Sequence, residues 1–242
     1  MAVSPIGADP REPVLERPLL DHEAIEAATL RLLRPRARNR PDLRLIEWRG
    51  ERLVAKDWRA ASPLMRPHAR RCLAREWRAL EALAGLPGVP RALVRLPDAI
   101  VVSHVDGEPI AHRRLPRARR EAFFAALSVC VEQIHARGVV HLDLRQRRNI
   151  LCGADGQPRV LDFEAALVLD ATRAWGRFAL FWGRKVDRLA ILKHKARYAP
   201  RLLAPRERRL ARVVRVSRWA WPSTVLHRAR MALRRRRRRA GS

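Results

Sequence analysis

Aromatic residues make up only 5% of the 242 residues, with one tyrosine (Tyr198) and five phenylalanines. Any core must therefore be built from Leu, Val, Ala and Ile, and with 48% of the chain apolar there are enough of them. Cysteine is equally scarce. Cys72, Cys130 and Cys152 stand far apart and form no CxxC or metal-spaced pair, which argues against a disulfide framework or thiolate metal site and fits reduced thiols in a cytoplasmic protein. No segment approaches the roughly 18 uninterrupted apolar residues that a membrane-spanning helix needs. The opening stretch MAVSPIGADPREP is Pro-rich and lacks the apolar centre of a secretory signal. The expectation is a cytoplasmic protein, soluble or resting peripherally on the inner face of the inner membrane.

Negative charge is the next deficit: 24 Asp and Glu stand against 52 Lys and Arg, a formal net of +28. Lysine itself occurs only at Lys56, Lys185, Lys193 and Lys195. Coding bias explains the choice of Arg over Lys, but not the excess of cations. A field this positive favours anionic partners such as phosphorylated lipid, an acidic membrane face or nucleic acid.

Along the chain, residues 1–17 read as a flexible lead-in. Leu20, Ile25, Ala28, Leu30 and Leu33 suggest a short amphipathic helix over Leu19–Leu33. From Arg40 to Asp57 the pattern turns to a hairpin around Trp48-Arg-Gly-Glu51, ending in a buried strand that carries Lys56. His68–Ala84 is a helix with Leu73, Trp77, Leu80 and Leu83 on one stripe, stopped by Gly85-Leu-Pro-Gly-Val-Pro90. Short strands follow around Ala92–Leu96 and Ile100–Ser103, then a turn at Asp106–Pro109. A second strong helix covers Arg117–Arg137, capped by Gly138. Val139–Asn149 reads as a loop, Ile150–Cys152 and Arg159–Leu161 as strands, and everything after Ala165 as helical and basic. This implies an α+β chain with a small mixed lobe at 18–104, a helical lobe at 105–205 and basic amphipathic helices with an arginine tail at 206–242.

Phosphoryl transfer demands positioning and charge compensation more than covalent chemistry. A cation must hold nucleotide phosphates, carboxylates must hold magnesium, and a further carboxylate must orient the acceptor hydroxyl. Lys56 sits at the end of an apolar strand, and Glu76 on the next helix is placed to pair with it, with Glu81 as the competing partner. His141-Leu-Asp143 and Asn149 share one loop: Asp143 can orient a hydroxyl proton and Asn149 can ligate a metal. Thirteen residues after Asn149, the strand Val160-Leu161 delivers Asp162-Phe163, and an Asp in that position suits a magnesium ion facing a cleft. Singly, each of these residues is an ordinary strand lysine, surface glutamate or turn residue. Their order and spacing are what point to chemistry.

Lys56, Glu76, His141-x-Asp143, Asn149 and Asp162-Phe163 resemble the strand lysine, helix glutamate, catalytic loop and DFG turn of the protein-kinase superfamily, over about Asp42 to Ala166. The likeness is nearest to small bacterial lipopolysaccharide kinases, which phosphorylate heptose or Kdo sugars, and to RIO-type atypical kinases. It implies a compact two-lobed kinase-like fold, a monomer, ATP and Mg2+ as cofactors, and Arg145 in the place of the loop lysine that contacts the γ-phosphate. The departures are specific. No GxGxxG covers the first hairpin, where Trp48-Arg-Gly-Glu51 keeps one glycine, so phosphate binding falls to Lys56 and metal. Leu142 replaces the arginine of HRD, Asn149 falls one residue later than usual, and Glu164 replaces the DFG glycine. Little room remains for a long activation segment.

Arg206–Arg239 mixes Leu210, Val213, Val214, Val216, Trp219 and Trp221 with arginine, ending in the run Arg234–Arg239. Such a segment suits an anionic bilayer surface, or nucleic acid through phosphate contacts, and its apolar positions can equally pack on the helical lobe. Three readings follow: a kinase for a lipopolysaccharide or lipid-linked sugar hydroxyl, an RIO-like serine/threonine kinase, and a non-catalytic kinase-like binding module.

Overall fold

Period-two alternation builds the first half of the molecule. The computed structural model describes residues 20–35, 40–110 and 119–216. Strands β1 (Thr29–Arg34), β2 (Asp42–Trp48), β3 (Glu51–Asp57), β4 (Ala92–Arg95) and β5 (Ala99–Ser103) form an antiparallel sheet in the order β1-β2-β3-β5-β4. Leu53 and Ala55 of β3 face one side, where they meet Ile46, Val101 and Ile25 of helix α1 (His22–Ala27). Val54 and Lys56 face the other side with Ile100 and Val102, against helix α2 (Arg66–Ala82) and its buried Leu73 and Leu80.

Two expectations change here. The helix expected over Leu19–Leu33 stops after Ala27, and its second half is strand β1. Asp21 caps the short helix by accepting a 2.8 Å hydrogen bond from the Ala24 amide. Leu30, Leu32 and Leu33 remain largely exposed, so no helical stripe is buried; pairing with β2 satisfies the backbone instead. The turn at Arg49-Gly50 is also not the one beside Lys56. Both residues have positive φ (53° and 76°), as in a type I′ hairpin, and Trp48 pairs with Glu51 across it. Lys56 pairs with Leu43, about 17 Å further along the strand. The connection at that end is 35–41, of which 36–39 lie outside the described residues.

The second half is helical: α3 (Arg120–Ala136), α4 (Ala174–Tyr198) and α5 (Pro205–Val216). Three short pairings tie its loops down. Strand β6 (Glu108–Pro109) pairs with β8 (Ile150–Cys152), and β8 with β9 (Pro158–Val160). Val139–Val140, expected as loop, forms β7 with β10 (Leu167–Val168), which the expected run of helix after Ala165 had absorbed. One core runs through both halves, from Leu80 and Ile100 to Phe123, Leu127, Ile134, Ile150, Phe163 and Ala190. Cys72 and Cys130 are buried and unpaired, and burial pushes both thiols up to about 11, so they remain protonated packing groups. Trp219, Trp221 and Arg234–Arg239 lie outside the described residues.

Between α2 and β4 the chain crosses to the helical half. The Val160 amide donates to the Gly88 carbonyl at 2.8 Å, and a Cβ on Gly88 would sit 2.7 Å from the Pro158 carbonyl oxygen. Gly85 has nearly the same φ, +77° against +79°, but open space around it. Gly85→Ala should cost only the left-handed backbone penalty, about 1 kcal/mol. Gly88→Ala should cost about 3 kcal/mol, because the seam with β9 must also open. Urea midpoints of the two variants check this; equal losses would remove the close-approach argument.

Candidate active site

Lys56 is 7% exposed, and its ammonium meets three carboxylates. Both Glu76 oxygens lie 2.7 Å from Nζ, Asp162 Oδ1 lies at 3.2 Å and Glu164 Oε1 at 3.6 Å. Glu81, the competing partner, is exposed on α2. Burial works against the charge on Lys56, but the surrounding carboxylates overcome it and hold its pKa far above the ordinary lysine value. Burial pushes Glu76 upward, against the pull of Lys56, and the neighbouring Asp162 and Glu164 add to that push. Asp162 is pushed up by burial as well, yet Lys56, His141 and Arg148 outweigh this and leave its carboxyl below the usual range.

On the helical side, Asp143 and Asn149 face each other across the loop. Asn149 Nδ2 donates to the Asp143 carbonyl at 3.0 Å and to its Oδ2 at 3.2 Å, while the Gln146 side-chain amide also donates to Oδ2. The extra loop residue is absorbed by a single 3-10 turn over Arg147–Asn149, so Asn149 still reaches Asp143. Burial raises the Asp143 pKa, and nearby Asp162 adds to the effect against His141, Gln146 and Asn149. His141 donates from Nε2 to the Leu161 carbonyl at 2.9 Å, accepts at Nδ1 from the Asp143 amide and packs on Phe163 with ring centroids 4.6 Å apart. Through that stack, the loop and the turn bearing Asp162 are fixed to one another. Arg145 lies beside Asp143 and lines the cavity on the α4 side of the loop.

Sequence reasoning missed two residues. Asp187, fully buried on α4, accepts from the His141 amide (2.8 Å), the Leu142 amide (2.8 Å) and His135 Nε2 (3.0 Å). Leu142 has φ 63°, a conformation that a branched side chain does not hold unaided, and Asp187 is what holds it. The available signal was a lone acid in the otherwise apolar and basic stretch Val186-Asp-Arg-Leu-Ala-Ile191. Arg34 is the second. Cross-strand pairing puts Arg34 opposite Leu43 and Leu43 opposite Lys56, so all three side chains share one sheet face. Arg34 feels both Asp162 and Glu164, and its Nε is buried without a hydrogen-bond partner.

Glu76, Asp162 and Glu164 each offer an oxygen within 4.8 Å of the others, and Asn149 Oδ1 is buried with no partner. Three carboxylates crowd one buried ammonium. An all-oxygen donor set with an orphaned amide oxygen fits a hard divalent cation such as magnesium.

The sheet lobe, the helical lobe and the residues between them define a protein-kinase-like fold. Solved structures bear this out. The chain is similar to the Rio2 kinase from Chaetomium thermophilum in its ADP/Mg2+-phosphoaspartate complex, with TM-score 0.54 and 18% identity over 76% of this chain and 60% of that one. Another structure of the Rio2 kinase from the same organism gives TM-score 0.52 and 19% identity over 73% of this chain. A curated protein, the putative CBL-interacting protein kinase 13 of Oryza sativa subsp. japonica, is 38% identical over 74 residues, which span 31% of this chain and 14% of that protein. The chain thus covers less than two thirds of the length of each. No family model matches it.

Two outcomes test the scaffold of the site. Asp187→Ala strips a buried acceptor from three donors and should cost about 3 kcal/mol in urea unfolding with an unchanged m-value. His194 donates from Nε2 to the Leu144 carbonyl at 2.8 Å, and burial pushes its pKa down to about 4 from the usual 6.5. Between those values the unfolded chain binds a proton that the folded chain refuses. Stability should therefore fall by about 3 kcal/mol as pH drops from 6.5 to 4. His194→Gln keeps a donor that does not titrate, and its midpoint should follow pH less steeply.

Proposed function

We propose that the chain is an ATP- and magnesium-dependent phosphotransferase of RIO-like type, acting on a hydroxyl acceptor. The observation that carries this is the ion cluster of Lys56, Glu76 and Asp162 with the hydrogen-bonded Asp143–Asn149 loop near enough for Asp162 to act on Asp143. Lys56 and Arg34, on one sheet face, would hold nucleotide phosphates, with arginine doing part of the work of a glycine-rich loop. Asp162 and Asn149 Oδ1 would hold magnesium. Bound together, nucleotide and metal supply the phosphoryl group and offset its charge. Asp143, held by the Gln146 and Asn149 amides, accepts the proton of the acceptor hydroxyl.

A second reading, a lipopolysaccharide or lipid-linked sugar at a membrane face, rests on α4. Trp175, Phe178, Phe181 and Trp182 are 59%, 66%, 53% and 50% exposed, and Lys185 Nζ sits 4.1 Å from the Phe181 ring centroid. Aromatics and cations on one helical face suit the headgroup layer of an anionic bilayer. No helix among the described residues is long and apolar enough to cross a membrane.

Labelled phosphate from ATP, traced into protein, lipopolysaccharide and membrane fractions, decides between the acceptors. Asp143→Asn should lower transfer at least about 100-fold; transfer equal to that of the unaltered chain would sink the phosphotransferase reading. Because Asp143 is raised by burial, the rate should fall on acidification at a pH above the ordinary aspartate range, as the base becomes protonated. Thermal stabilisation by ATP should require magnesium and vanish in Asp162→Ala.

A further inference from the structure

The loop after Asp143 and the C-terminal part of α4 enclose a cavity of about 520 Å3. Arg145, Arg147, Arg148, Lys193 and Arg197 line it, and among the described residues no carboxylate does. Gln146 also lines it while its side-chain amide holds the Asp143 carboxylate, so the cavity adjoins the proposed base. In a chain of net charge +28, arginines on the surface are unremarkable. Convergence of this many cations on one cavity is different, because each raises the electrostatic cost of the next.

The walls are held in place. Lys193 Nζ donates to the Arg145 carbonyl at 2.9 Å and His194 Nε2 to the Leu144 carbonyl at 2.8 Å, so α4 fixes two consecutive loop carbonyls. Arg147 and Arg148 are exposed and make no hydrogen bond or ion pair with described residues, and Arg197 lies over the Tyr198 ring at 5.7 Å. Guanidinium forks grip phosphate oxygens in pairs. A cavity of this size takes more than a bare phosphate ion. A peptide cannot add as a strand here, because the neighbouring strand β6 is paired to β8 and contains Pro109.

We propose that this cavity binds the phosphomonoester of a phosphorylated sugar, soluble or lipid-borne, and so presents a hydroxyl of that sugar to Asp143. The proposal rests on the phosphotransferase reading and names the acceptor class within it.

Glucose 6-phosphate is the probe, titrated calorimetrically into the full chain without nucleotide at about 0.15 M salt, with glucose as the uncharged control. Glucose 6-phosphate should bind and glucose should not. Arg147→Ala with Arg197→Ala should weaken binding at least about tenfold. Arg206→Ala with Arg209→Ala, which removes the same charge from α5, should change it less than about twofold. Arg147→Lys with Arg197→Lys, which keeps charge and bulk but loses the fork, should fall between and guards against misfolding. Competition by phosphatidic acid vesicles assigns the phosphate to a lipid headgroup; failure to compete assigns it to a soluble sugar.

Equal losses in the two alanine pairs overturn the proposal, as does equal binding of a phosphoserine peptide or of RNA without a terminal phosphate. Asp143→Asn should still bind the probe, since the cations that grip the phosphate are untouched. Binding that survives in a chain incapable of transfer keeps the site and removes the kinase reading. Transfer that is indifferent to the Arg147/Arg197 pair keeps the kinase reading and removes the site.

Discussion

A single ammonium group organises this molecule. Lys56 reaches from the sheet to Glu76 on α2 and to Asp162 on the turn after β9, joining three segments that are distant in sequence. A buried ion pair is weak evidence of stability, since desolvation offsets much of the attraction, but removing one partner strands the others. Here two further carboxylates crowd the pair, which makes the arrangement poor as a structural staple and good as a cation-binding cleft.

The loop opposite is anchored by a second buried charge. Asp187 spends its oxygens on the His141 and Leu142 amides, and His141 in turn packs on Phe163. The strained Leu142 backbone, Asp143 and the Asp162 turn thus share one support, provided by the middle of α4. Further along the same helix, Lys193 and His194 hold the next carbonyls. A single helix therefore sets the geometry of the loop almost residue by residue.

Much of this was legible in the sequence. Lys56, Glu76, Asp143, Asn149 and Asp162 stood out by their order and spacing, and in the structure Lys56 meets Glu76 and Asp162 while Asn149 meets Asp143. Helices α2 and α3 were legible from their stripes. Strand β1 was not, because Thr29-Leu-Arg-Leu-Leu-Arg34 carries both helical and strand spacing and only the open edge of β2 decides between them. Arg34 was hidden for the same reason: its partnership with Lys56 passes through a register that pattern alone does not reveal. Asp187 was hidden because its work is done on backbone amides, which leave no mark in composition.

The main-chain contact at Gly88 has a mechanical consequence. The link between α2 and β4 belongs by sequence to the sheet half, yet it is hydrogen-bonded to β9 in the other half with no side chain between them. Lobes joined backbone to backbone at one point cannot slide past each other there. Any opening of the cleft must be a rotation with its axis near Gly88. The largest displacement then falls on the outer strands β1 and β2, and α2 turns about its fixed C-terminal end. A rotation of that kind would act directly on the 3.2 Å contact between Lys56 and Asp162, which therefore reports on the relative position of the two halves.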